Sequence, residues 1–394
     1  MIYAFSFDGT NGVPTPFSVG VPLPKGTFWP EQKLQIVTES GVNVISNVTP
    51  TSLWHDKSIR WCQIDGYCEQ SNAQKYFITK SQATLFKKQD CVFEKDGAFI
   101  LKSKDLTLQV STDSFLSLKQ VTNTTSLPLE LSPIFSVKHV KTKFTLITST
   151  LFTKTSSCNK PLYAALKQQY KTELNTPKKH LLVTVEYKLD YVTNQLKINL
   201  SVHNPMPLIP DNDQWDLGNE NSIELSQFGL KIALPEGGFS VANTNDDRHP
   251  FKPFEQWSLV INNSGGENWS SKNHIDKHGV IPQKQRGAVV VEVDNKQTHT
   301  YTELRPSLAF NLSDEAQRFA INIDNMWEKF PLEVSVLHDQ MNINFCETKT
   351  DSGIELQPGE IKFHSLAIDL VQADLTTNAK KRAPTPTLNP DIFC

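Results

Sequence analysis

Residues 183–202 commit this chain to a β-sheet. Val183, Val185, Tyr187, Leu189 and Tyr191 alternate with Thr184, Glu186, Lys188 and Asp190. Beyond Thr193-Asn194, Leu196, Ile198, Leu200 and Val202 alternate with Lys197, Asn199 and Ser201. A helix cannot put every second side chain on one face, because its period is about 3.6 residues; a strand does so by its pleat. Two such runs on either side of a turn former predict an antiparallel hairpin with one buried face. Shorter versions of the pattern occur at Leu106, Leu108 and Val110, at Leu332, Val334 and Val336, at Met341, Ile343 and Phe345, and at Ile361 and Phe363. Turn formers recur at short intervals. The expected fold is all-β, of sandwich or barrel type.

Two segments leave room for helix. Pro161 to Tyr170 is rich in good helix formers, although Lys171-Thr172-Glu173-Leu174 leads on toward the next strand and an extended form fits equally. Asp314 is able to open a short helix or turn running to Phe319. A polar stretch from Lys80 to Asp90 suggests a first boundary, giving a small domain over residues 1–88 and a large one over 89–372. Residues 373–394 are Thr/Pro-rich without periodicity and read as a flexible tail or linker.

With 394 residues, 38% hydrophobic and 21% charged, the chain has the composition of an ordinary globular protein. A formal net charge of -3 offers no global field for nucleic acid or an anionic membrane, and Lys380-Lys381-Arg382 reads as solvated chain. No apolar run approaches the roughly 20 residues of a membrane span. The start, MIYAFSFDGTNG, shows no secretion signal, so a cytoplasmic location is expected. The six cysteines form no Cys-x-x-Cys pair or zinc framework and are expected to be reduced.

The densest functional inventory lies between Ser264 and Gly287, after Phe254-Glu255-Gln256-Trp257 and the apolar run Leu259-Val260-Ile261. It combines adjacent glycines, asparagines, a glutamate, a tryptophan, two histidines and an arginine without periodicity. Turns need only polarity and Gly; this segment adds acid–base, hydrogen-bonding and stacking groups, as expected of a loop that meets a polar ligand.

Three segments, in this order, carry a family resemblance. The first is Pro16-Phe17-Ser18-Val19-Gly20-Val21-Pro22-Leu23-Pro24-Lys25-Gly26 with Pro50-Thr51-Ser52-Leu53-Trp54-His55-Asp56-Lys57-Ser58-Ile59-Arg60-Trp61. The second is Gln256-Trp257, Ser264-Gly265-Gly266-Glu267-Asn268-Trp269, Asn273-His274 and Gln285-Arg286-Gly287. The third is Met326-Trp327-Glu328-Lys329-Phe330-Pro331 with the run from Glu355 to His364. Together they resemble the exo-rhamnogalacturonan lyase/YetA-like family over roughly residues 3–372. The resemblance implies a small N-terminal β-barrel followed by a large antiparallel β-sandwich. It also implies an acidic, rhamnogalacturonan-like oligosaccharide or polysaccharide as ligand, and a helical α/α toroid as a further domain or partner. Lys57 stands where the relatives usually have glycine.

A lyase that breaks a bond β to a uronate needs donors for the carboxylate, a base for the α-proton and an acid for the leaving oxygen. His274 is the candidate base, since an unperturbed imidazole titrates near neutrality, and Arg286 is the candidate carboxylate fork. Glu267, Asn268, Trp269 and Asn273 are the candidate substrate contacts, with Trp215 able to reach a glycan from the loop Asp211-Asn212-Asp213-Gln214-Trp215-Asp216. The same residues also suit turns, a core plug and an internal Arg286–Glu267 pair. His278 reads as a solvent-facing loop residue. Asp211, Asp213, Asp216, Glu220 and His203 have the acidic density of a calcium loop without its Gly and terminal Glu, so no metal or cofactor is expected. Glu267 and Glu328 are the nearest carboxylate pair for a glycoside hydrolase. Trp54 to Trp61 reads as strand, tight turn, strand, with one tryptophan filling the barrel. Trp327 and Phe330 read as core. Two other outcomes stay open: a non-catalytic glycan-binding or scaffolding protein, and a hydrolase.

Overall fold

The computed structural model describes residues 2–7, 14–68, 74–81, 87, 89–121, 129–138, 140–174, 178–209, 219–233, 240–243, 256–261, 288–293, 296–302, 309–313, 318–326, 329, 332–337, 340–346, 354–369 and 386–388. Its N-terminal strands are β1 (Ile2–Phe7), β2 (Thr15–Pro22), β3 (Leu34–Thr38), β4 (Ser46–Leu53), β5 (Ile59–Cys68) and β6 (Gln74–Lys80). Next come β7 (Val92–Lys95), β8 (Ala98–Lys102), β9 (Thr107–Ser111), β10 (Leu118–Gln120), β11 (Glu130–Val137), β12 (Val140–Lys141), β13 (Lys143–Thr155), β14 (Pro161–Glu173), β15 (Leu182–Asp190) and β16 (Gln195–His203). They are followed by β17 (Ile223–Ala233), β18 (Ser240–Asn243), β19 (Trp257–Ile261), β20 (Ala288–Val293), β21 (Lys296–Thr302), β22 (Ala309–Ser313) and β23 (Arg318–Ile323). The last are β24 (Leu332–Leu337), β25 (Gln340–Asn344), β26 (Ile354–Leu356), β27 (Ile361–Asp369) and β28 (Pro386–Leu388). No helix among the described residues is long and apolar enough to cross a membrane.

Two small sheets, β28-β1-β6-β3 and β2-β5-β4, make the barrel. Their inward residues form one core that includes Phe5, Phe17, Ile36, Cys62, Ile64, Tyr76 and Ile78. Phe5 stacks on Tyr76 at 5.2 Å and tilts against Phe17 at 5.4 Å, geometries that suit the ring quadrupoles. The tryptophans stand elsewhere. On β5, Ile59 and Cys62 are buried while the consecutive Arg60 and Trp61 between them are exposed, Trp61 by 37%. Trp54 is half-buried and donates its indole N–H to Leu23 O at 3.0 Å. Phenylalanine and tyrosine, not tryptophan, fill this barrel.

The large domain is a sandwich of a thirteen-stranded and an eight-stranded sheet; the latter runs β13-β14-β15-β16-β27-β23-β22-β18. The predicted hairpin is β15–β16, with Val183, Val185, Tyr187 and Leu189 opposite Val202, Leu200, Ile198 and Leu196. All eight are fully buried in the core, each side chain contributing about 1.5–3 kcal/mol. Asp190 closes the turn by accepting from Val192 N, Thr193 N and Thr193 Oγ1 at 3.2, 2.9 and 2.8 Å. Asn194 takes the left-handed backbone there, with φ 59°, as asparagine tolerates better than most residues. Pro161 to Tyr170, open to either form by sequence, is extended: β14 lies between β13 and β15, and ladder bonds on both sides outweigh helix propensity.

β13 is the outer strand of the eight-stranded sheet and thirteen residues long. A register shift between Leu146 and Thr148 inserts Ile147 as a bulge, which breaks the regularity that a foreign strand would need. At the other end of the chain, Pro386–Leu388 pairs antiparallel with β1, Phe5 opposite Leu388. A piece of the expected tail thus completes the edge of the first barrel sheet.

Candidate functional site

The segment from Ser264 to Gly287 lies outside the described residues, and with it Glu267, Asn268, Trp269, Asn273, His274, His278 and Arg286. Trp215, Trp327, Glu328 and Phe330 also lie outside them. The anchors of the segment are described. β19 and β20 pair antiparallel with Ile261 opposite Val289, so the chain leaves and re-enters the sheet at one hairpin end. Trp257 is 3% exposed and belongs to the sandwich core.

Among the described residues, the polar side chains that converge most do so where the barrel meets the eight-stranded sheet. Tyr67 of β5 donates its hydroxyl to Leu162 O of β14 and also hydrogen-bonds Asp190. Ser157 N donates to Ser46 O at 2.9 Å across the same joint. Lys154 of β13 donates to Thr49 Oγ1 at 3.0 Å and pairs with Asp65 Oδ2 at 3.4 Å. Asp65 in turn accepts from Ser18 Oγ at 2.5 Å. These groups come from β2, β4, β5, β13, β14 and the β15–β16 turn. Outward alternation on each strand aims them at the same seam.

Lys188 stands beside this seam, its ammonium 3.9 Å from the centroid of the Tyr163 ring. Burial lowers its pKa first, and the charges of Asp65 and Asp190 oppose that shift. Lys197, directly opposite on β16, adds to the lowering. Lys197 has its own partner, Asp324 Oδ2, at 2.9 Å. Burial raises the carboxyls of Asp190 and Asp369, and hydrogen bonds pull both back: Thr193 and Tyr67 act on Asp190, and Gln195 Nε2 donates to Asp369 Oδ1 at 2.7 Å. Raised carboxyls in a cleft suggest acid catalysis. Here the bonds they make hold a turn and a strand pair, so both act as structural carboxyls. The seam can hold two domains together and present one cation on an aromatic face; it does not assemble a base and an acid.

Residues 7–81 match the PcRGLX-like N-terminal RIFT barrel domain. The N-terminal domain is a RIFT barrel. The match supports the exo-rhamnogalacturonan lyase-like resemblance drawn from Pro16–Gly26 and Pro50–Trp61. No curated protein matches the chain. Among solved structures it is similar to a protein in the glycosyl hydrolase family 38 from Enterococcus faecalis, at 9% identity and a TM-score of 0.46, covering 94% of this chain and 44% of that one. It is also similar to the galactosidase domain of an alpha-galactosidase-sucrose kinase, at 10% identity and a TM-score of 0.37, covering 71% of this chain and 41% of that one. The chain spans less than half the length of either structure.

Within the RIFT barrel, the β4–β5 turn is built as its sequence suggests. Trp54 N donates to Ser58 O at 2.8 Å, and Lys57 N to Trp54 O at 2.9 Å. Asp56 Oδ1 accepts from Ser58 N at 3.0 Å and Ser58 Oγ at 2.6 Å, and the latter bond is the main cause of its lowered pKa. Lys57 has φ 70°, the left-handed region in which glycine is unstrained. Arg60 lies 5.0 Å from the Trp54 ring centroid. The acids Asp211, Asp213 and Asp216 lie outside the described residues; His203 sits on β16 and Glu220 in the turn before β17. No metal-binding group of His, Cys, Asp or Glu occurs among the described residues. Cys62, Cys68, Cys91, Cys158 and Cys346 are free thiols, and burial pushes Cys62 and Cys346 up to about 12, which keeps them inert.

Proposed function

We propose that this chain is the β-domain part of a protein that handles acidic, rhamnogalacturonan-like glycans and, in its complete form, cleaves them by β-elimination at a uronate. The RIFT barrel match carries the reading, because it is specific to one family and falls where the first group of resembling residues falls. Ser264–Gly287 supplies the cleft wall in this reading, with Arg286 and the asparagines on the uronate carboxylate and His274 as base. A helical toroid supplies the opposite wall.

A second reading, that these domains bind glycan without cleaving it, is favoured by one observation. The carboxyls with raised pKas in the described residues, Asp190 and Asp369, are committed to internal hydrogen bonds.

Incubation with rhamnogalacturonan, followed by ultraviolet absorbance, separates the readings. An unsaturated product supports the lyase. Measurable binding with no product leaves the binding protein. New reducing ends without unsaturation mean hydrolysis. His274→Ala with full lyase activity removes His274 as base.

A further inference from the structure

The outward face of the eight-stranded sheet carries a row of uncharged side chains that the core does not use. Strand register sets Thr148 of β13 beside Gln169 of β14, then Thr184 of β15, Ser201 of β16 and Phe363 of β27. Gln169, Thr184, Ser201 and Phe363 point away from the core, because their chain neighbours Gln168, Val183, Val185, Leu200, Val202 and His364 are buried beneath the sheet, and Thr148, exposed and directly opposite Gln169, shares that face. Among the described residues, none of the first four makes a side-chain hydrogen bond. The row is therefore a set of unspent hydroxyl and amide groups. It ends on a phenyl ring that is 47% exposed.

Phe363 shares this end of the face with Ile361, two residues away on β27 and 60% exposed, so the two form a small apolar patch. The ring also has a cation beside it, Lys329 Nζ at 5.8 Å from its centroid. Lys167 and Lys171, both exposed, lie two residues either side of Gln169 on β14 and therefore one row away on the same face. On β15, Glu186 stands directly opposite Lys167 and also accepts from Asn199 Nδ2 at 2.9 Å. The strip is thus uncharged at its centre, with a Lys167–Glu186 cross-strand pair on one margin, Lys171 on the other, and an apolar end beside Lys329. Its length is about 19 Å, five strands at the usual strand spacing.

We propose that the row Thr148–Gln169–Thr184–Ser201–Phe363 is a binding strip for an acidic polysaccharide. A sugar ring presents a C–H face and a rim of hydroxyls, which match an exposed aromatic ring and a line of small donors and acceptors. Uronate carboxylates along the chain fall toward Lys167, Lys171 and Lys329. The strip lies on a different sheet from β19 and β20. The proposal rests on the glycan-handling reading and assigns its binding surface.

The test is calorimetric titration of the full chain with rhamnogalacturonan I oligosaccharides, and with neutral galactan as comparison. Phe363→Ala is expected to raise Kd roughly tenfold, Phe363→Tyr to keep binding, and Ser201→Val to weaken it several-fold. The double variant Lys167→Gln/Lys171→Gln is expected to abolish the preference for the acidic ligand. Circular dichroism melts confirm that each variant is folded. If the unaltered chain binds while Phe363→Ala and Ser201→Val bind equally well, the strip is wrong and glycan handling stands. If the unaltered chain binds neither ligand, the functional reading falls with it. Equal binding of acidic and neutral ligands by the unaltered chain overturns the role of the lysines.

Discussion

A side-chain carbon on Gly229 would stand 1.9 Å from the backbone oxygen of Ile343. Gly229 of β17 pairs with Asn344 of β25, and Asn344 Oδ1 accepts from Phe228 N and Cys346 N, both at 3.2 Å. The two strands approach so closely that a Cβ fits only if backbone moves. Gly229→Ala is therefore expected to destabilise the sandwich by about 1–3 kcal/mol, the usual cost of overpacking. A urea unfolding curve checks this through its midpoint. A midpoint equal to that of the unaltered chain would contradict the close approach.

Lys57 predicts the opposite sign. Its φ of 70° costs a side-chain-bearing residue about 1–2 kcal/mol, and glycine is free of that strain. The greater freedom of glycine in the unfolded chain offsets part of the gain. Lys57→Gly should raise stability by about 0.5–1 kcal/mol in thermal melts, whereas Lys57→Ala should change little, because alanine keeps the Cβ.

Tyr67 joins the two domains through Leu162 O and Asp190. Tyr67→Phe removes the hydroxyl from this joint, while Leu162 O keeps Tyr191 N at 2.8 Å and Asp190 Oδ1 keeps Val192 and Thr193. The expected loss is that of a hydrogen bond without an orphaned acceptor, about 0.5–1.5 kcal/mol. Limited proteolysis between β6 and β7 should become faster at the same time, since the joint holds the barrel on the sheet. Unchanged proteolysis with lowered stability would confine the role of Tyr67 to the barrel.

His364 sets a pH dependence. It is 4% exposed, stacked on Phe345 with ring centroids 4.0 Å apart, and both ring nitrogens are without hydrogen-bond partners among the described residues. Burial, with help from the charges of Lys329 and Lys362, lowers its pKa from 6.5 to about 3. The folded state therefore binds fewer protons than the unfolded state between these values. Its contribution is fully present above pH 6.5 and is lost as pH falls toward 3, with a slope of at most about 1.4 kcal/mol per pH unit. His364→Phe should flatten the stability profile in that window and, by removing unpaired polar atoms, raise stability at pH 5. Chemical denaturation at a series of pH values measures both. Parallel profiles for the two proteins would mean that His364 is accessible to protons in the fold.

Much of the fold was legible because a strand writes its buried face into every second residue. Val183 to Val202 showed the hairpin, its turn and its core-facing residues, and Pro16–Gly26 with Pro50–Trp61 pointed to the barrel. The alternation did not separate Trp61 from the core. Arg60 and Trp61 are consecutive and both exposed, an irregularity that reflects the register shifts between β4 and β5. His364 begins a run of three buried residues on β27, His364 to Leu366, next to the exposed Phe363, and its polarity hid it. Ser264–Gly287 was legible as an inventory of side chains only.

The sequence by itself determined the all-β class and the buried face of the β15–β16 hairpin. These depend on side-chain period and local turn chemistry, which neighbours along the chain supply. Ile361 and Phe363, by contrast, read as an alternating apolar face and are exposed on β27. Tertiary structure alone decided which strands meet: β16 beside β27, 174 residues apart at Gln195 and Asp369, and β28 on the edge of β1. It also assembled the row from Thr148 to Phe363, whose members come from five strands. Period-2 patterning states that a strand has an inner and an outer face but carries no label for its partner. Pairing is set by the mutual burial of whole sheets and by close approaches such as Gly229 against Ile343, and these exist only once distant segments are packed.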